Sequence, residues 1–167
     1  MARPDSNGTN RPDWKMAALA ALACAAGAVA TAGAQSAQGG LYIAGAGFSF
    51  GQAAVQALKT NPEGQRFFLL SVPPETRALE TAANEPLAAL RARVLEAGGV
   101  LYVCQRDVDS GKVRLARLVP GVIAVRGWPP AGSAQLPADA RYFPGENPAA
   151  LPASNEALRR LRSTCSG

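Results

Sequence analysis

The chain has 167 residues, room for one domain with a core of ordinary size, and carries 17 Lys+Arg against 12 Asp+Glu. Once the N-terminal segment is set aside the body is only mildly basic, and its arginines are scattered, with a cluster only at Arg159, Arg160 and Arg162; no phosphate-tracking stripe forms, so nucleic acid is not an expected partner. Histidine is absent, which removes the commonest general base and the commonest metal ligand together. No metal site and no cofactor are expected, and any chemistry must rest on cysteine, carboxylates or arginine.

Residues 1–15 are polar and include Arg3, Arg11 and Lys15, and residues 16–34 then run without a charge through an alanine-rich stretch. This is the order of a secretory signal, and Ala32-Gly33-Ala34 offers a small-x-small cleavage site before Gln35. The competing reading is an uncleaved membrane anchor. Alanine and glycine dominate the stretch, and only Leu19, Leu22 and Val29 are strongly apolar, which favours cleavage. Ala21-Leu22-Ala23-Cys24 lacks the leucine that a lipoprotein box places three residues before its cysteine, and twin arginines are missing. The expected address is export, into a bacterial periplasm, with membrane association only if the segment stays uncleaved. The chain divides into a signal peptide (1–34), a small-residue linker (35–40), an α/β domain (41–128) and a Pro/Ala-rich wrap with a C-terminal helix (129–167).

Leu41-Tyr42-Ile43-Ala44 reads as a short strand running into a glycine loop and a helix over residues 52–60, the opening of an α/β unit. Gly45, Gly47 and Gly51 have the spacing of a variant dinucleotide fingerprint, but no acidic residue ends the second strand, so the glycines read mainly as a tight turn. Asn61-Pro62-Glu63-Gly64 closes that helix, and residues 66–72 form an apolar run suited to a strand buried on both faces. After a loop over residues 73–83, Asn84 caps a helix with Glu85 and Pro86 in its first turn and Leu87, Leu90, Val94 and Leu95 along one face; Gly98-Gly99 ends it. A third strand carries Cys104 to a polar loop, residues 110–119 suggest a short helix, and Val122-Ile123-Ala124-Val125 is the fourth strand. The wrap contains Arg141-Tyr142-Phe143, an edge strand or an anchor on the core. Ser154 caps a last helix with Leu158, Leu161 and Cys165 on one face and Arg159, Arg160 and Arg162 turned to water. The pattern predicts a small flavodoxin-like α/β fold, a mainly parallel sheet with helices on both faces, plus a proline-rich C-terminal extension.

The segment Gly98-Gly99-Val100-Leu101-Tyr102-Val103-Cys104, followed by Leu118-Val119-Pro120-Gly121-Val122, resembles the DsrE/DsrF-like sulfur-relay family, in which a cysteine follows the third strand and a Leu-x-Pro-Gly-Val turn leads into the next. The resemblance covers about residues 41–128 and is specific in the second half. It implies a flavodoxin-like fold, assembly into oligomers of itself or of related chains, and a cysteine that carries a persulfide between a donor and an acceptor protein. By position that cysteine is Cys104.

Two readings of Cys104 stand side by side. As a reactive thiol it would be activated by Arg106, a candidate thiolate stabiliser two residues on, against Asp107 and Asp109, which work the other way. As a structural residue it would finish a buried strand. An oxidising compartment could also join it to Cys165, the other cysteine left after signal removal; the polar loop after the strand favours a free Cys104 instead. The functional expectation is therefore an exported DsrE-like sulfur carrier or sulfurtransferase using Cys104. The alternative is a non-catalytic interaction subunit of a periplasmic or membrane-attached assembly, and a nucleotide-binding module is the lesser one.

Overall fold

Near-continuous apolar runs, whose successive side chains point to opposite faces, dictate a sheet with two buried faces. The computed structural model describes residues 40–61, 64–130, 132 and 141–167. The signal-like segment 1–34, all of the linker but Gly40, residues 62–63 and much of the Pro/Ala-rich stretch lie outside the described residues. Strands β1 (Leu41–Ala44), β2 (Phe67–Ser71), β3 (Gly99–Cys104) and β4 (Ile123–Val125) form one parallel sheet in the order β1-β2-β3-β4. The register pairs Tyr42 with Leu69, Leu70 with Tyr102, and Cys104 with Val125.

On one face Tyr42, Ala44, Phe67, Leu69, Leu101 and Val103 meet helices α1 (Phe50–Thr60) and α2 (Glu85–Glu96). On the other, Leu41, Phe68, Leu70, Tyr102, Cys104 and Val125 meet helix α4 (Asn155–Cys165). The expected fold class, a parallel sheet with helices on both faces, is what the chain adopts. The helices linking successive strands β1 to β2 and β2 to β3 share one face, and the second face is closed by the chain's last helix. A sequential strand order has no reversal, so the sheet has none of the crevice that opens where neighbouring connections leave on opposite faces.

The caps follow the sequence. Ser49 and Gln52 form a capping box on α1, Asn84 accepts from the Leu87 amide, and Ser154 accepts from the Ala157 amide. Two expectations change. Residues 110–119 are not a helix: α3 (Gln105–Asp109) begins directly after Cys104, Gly111 ends it at φ 74°, and a 3₁₀ turn, Leu115–Arg117, comes next. That turn is tied sideways, with the Val119 amide on the Leu79 carbonyl and the Thr81 amide on the Arg117 carbonyl, so tertiary pairing overrides helical propensity. On α2 the buried stripe is Leu87, Leu90, Arg91 and Val94, while Leu95 is 40% exposed. Arg91 occupies the stripe because its guanidinium satisfies the carbonyls of Ala78 and Glu80 at 2.7 and 2.9 Å. Among the described residues no helix is long and apolar enough to cross a membrane.

Candidate functional site: the Cys104 strand end and its cover

Cys104 is the last residue of β3, on the same face as Tyr102, and is fully buried. Seven residues after Leu158, Cys165 falls on the face of α4 that also carries Ala157 and Leu161, and that face lies on Tyr102, Cys104 and Val125. The two Cα atoms stand 5.0 Å apart and the sulfurs are bonded to each other. The expected free thiol is corrected here. A polar segment after the strand suggests access, but strand alternation turns the Cys104 side chain toward the sheet face that α4 covers, and the next residues are the helix α3 rather than an open loop. A cross-link between residues 61 apart in sequence stabilises the fold by about 4 kcal/mol, chiefly by restricting the unfolded chain.

The close approach of α4 needs Gly127. A Cβ there would stand 2.4 Å from the carbonyl carbon of Cys165 and from the Ser166 amide nitrogen. The junction is then tied by the Trp128 amide donating to Ser166 Oγ at 2.8 Å and by Arg106 Nη1 donating to the Ser166 carbonyl. Arg106 thus serves the C-terminal end of α4, where exposed carbonyls and the helix dipole favour a cation, instead of activating a thiol. Its other partner is Asp107, whose Oδ1 lies 3.7 Å from Nε, and Asp109 accepts from the Gln105 side chain at 2.8 Å.

A second cation organises the cover. The sequence puts Arg162 in water with Arg159 and Arg160; in the structure it is fully buried. Its position is four after Leu158 and three before Cys165, inside the apolar stripe, and burial is tolerable because both terminal nitrogens are taken up, Nη1 by the Arg126 carbonyl at 2.9 Å and Glu146 Oε1 at 3.1 Å, Nη2 by Glu146 Oε2 at 2.5 Å and the Arg141 carbonyl, leaving Nε alone without an acceptor among the described residues. The guanidinium lies 4.2 Å from the Phe143 ring centre and 5.7 Å from that of Trp128. Arg141-Tyr142-Phe143 is accordingly an anchor and not a strand. Tyr102 fixes the next part of the wrap by donating from its hydroxyl to the Ala150 carbonyl, and Arg66 donates to that of Ala149. Burial holds the Tyr102 hydroxyl well above its ordinary pKa, with Arg66 pulling weakly the other way.

Between β4 and the wrap runs a groove of about 400 Å³, lined by Gln105, Ile123, Ala124, Arg126, Asn147 and Leu151 among others. Sequence reasoning missed it, together with Arg162 and Glu146, because a Pro/Ala-rich stretch has no periodicity from which to locate its path.

The chain matches no family model, no curated protein and no solved structure.

The glycine loop gives the nucleotide reading no support. Gly45 is needed because a Cβ there would meet Val72 Cγ2 at 2.2 Å, and the amides at the start of α1 are already engaged: Gln52 on Ser49 Oγ and Phe50 on Glu75 Oε2 at 2.7 Å. A carboxylate sits where a pyrophosphate would have to bind. Among the described residues no group of His, Cys, Asp and Glu side chains is arranged to hold a metal ion.

Proposed function

We propose that this chain is an exported, DsrE-like α/β subunit that works by binding other proteins, within a periplasmic or membrane-attached assembly, and not by carrying sulfur. The observation that carries the reading is the buried bond between Cys104 and Cys165. Sulfur relay requires a thiolate at Cys104 that a donor can reach. In the bonded state neither sulfur is a nucleophile, and both cysteines are shielded by the α4 face. Arg106, the residue that would have activated the thiol, is committed to the Ser166 carbonyl. A buried disulfide between distant parts of the chain also supports an oxidising address, in agreement with the signal-like residues 1–34. The C-terminal segment supports the binding role, since its described residues, 141–167, are invested in covering one sheet face and not in assembling titratable groups around a cleft.

The test is incubation of the full, oxidised chain with inorganic polysulfide, followed by intact-mass measurement and peptide mapping. The expected result is no added sulfur on Cys104. A one-sulfur adduct that maps to Cys104 and vanishes in Cys104→Ser would overturn the reading in favour of the carrier.

A further inference from the structure

We infer that the groove beside β4 is a docking site for an extended segment of a partner protein, which adds to the sheet as a fifth strand and places a carboxylate against Arg126. The inference rests on the interaction reading and specifies its surface. Sheet order leaves β4 at an edge, and among the described residues it pairs with β3 alone. Among those residues, no turn, cap or side-chain hydrogen bond engages the backbone of Ile123, Ala124 or Val125 from the outer side. Such an edge is a row of amide and carbonyl groups that an extended peptide matches, main chain giving affinity and side-chain pockets giving selectivity.

The groove supplies both. Its apolar lining comes from Ile123 and Leu151, and its size lies within the range of sites that enclose a ligand's side chains. Charge decides the rest. Glu146, the groove's carboxylate, is spent on the buried Arg162, whereas Arg126 is exposed at the end of β4 and forms no ion pair among the described residues. The unspent charge is positive, so an acidic residue or a chain-terminal carboxylate is the complementary group. A second copy of the chain fits less well: approaching through its own β4 it brings another exposed Arg126, and its groove carboxylate, Glu146, is already paired with Arg162.

A random linear octapeptide library displayed on phage, panned against the oxidised full chain, tests this. Enriched sequences are expected to alternate apolar and polar residues and to carry Asp or Glu near one end. A synthetic peptide of the enriched sequence should lose at least tenfold in affinity with Arg126→Glu and with Ala150→Phe, which fills the groove. Arg159→Glu, on the exposed side of α4, should leave it unchanged. Arg126→Glu alters an exposed side chain and decides the matter alone if Ala150→Phe fails to fold. No enrichment, or binders indifferent to Arg126→Glu, overturns the groove while leaving the interaction reading in place; sulfur on Cys104 overturns that reading whatever the groove binds.

Discussion

Arg162 does the most to set the geometry around the strand end. A guanidinium with no exposure, held by one carboxylate and two carbonyls, is costly to break on one side, because its partners stay buried without it. Arg162→Met should therefore lower stability by about 3 kcal/mol, read as a shift in denaturant midpoint at unchanged slope, and Arg162→Met combined with Glu146→Leu should recover part of the loss. The helical period of α4 contains this residue's place, at the fourth position after Leu158; its charge argues for water, and the carbonyls that accept its protons come from segments whose path the sequence does not reveal. Tyr102 gives a pH signature. Burial raises its pKa in the folded state, so the folded chain keeps its proton when the unfolded chain has lost it. That stability is complete below the unfolded value of about 10 and is lost as pH rises from there toward the raised folded value. Tyr102→Phe should flatten the alkaline fall in stability, measured as melting temperature against pH, and should lower stability at neutral pH through the lost bond to Ala150.

Among the elements, α4 is the one that closes the strand end. Its cap at Ser154 and its stripe of Leu158, Leu161 and Cys165 are legible in the sequence, because capping and a 3.6-residue period are local properties. Where it docks is not, since nothing local states which sheet face remains uncovered after the first two helices have packed. Gly127 fixes how closely it docks. Gly127→Ala pushes a methyl group into the Cys165–Ser166 backbone, which has no flexible side chain to yield, and should cost roughly 2 kcal/mol and slow formation of the Cys104–Cys165 bond in refolding followed by thiol trapping. By contrast Ala at Gly47, where a Cβ meets nothing, adds only backbone strain. The misplaced helix at residues 110–119 has a related cause: its apolar residues Val113 and Leu118 are buried, but the segment is held by the Val113 amide on the Asp107 carbonyl and by pairing of residues 117–119 with the Leu79–Thr81 region, not by a helical face.

For the whole molecule, alternation of strand-like and helix-like segments is enough to read a parallel α/β sheet, because only crossover connections join such strands. Strand order is not readable, since hydrophobic pattern says which residues are inside and not which strands are neighbours. The sequential order matters for function: it provides no switch-point crevice at the strand ends, and the strand end that bears a cysteine is closed by a helix. Among the described residues β4 pairs with β3 alone and a groove lies beside it, and these suit the proposed binding module. Whether Cys104 is a staple under α4 is decided by digesting the unreduced, alkylated full chain with trypsin and mapping the products. Residues 94–106 should be joined to residues 163–167 through one disulfide, with neither cysteine alkylated; recovery of both peptides separately, each alkylated, from protein folded under oxidising conditions would contradict it.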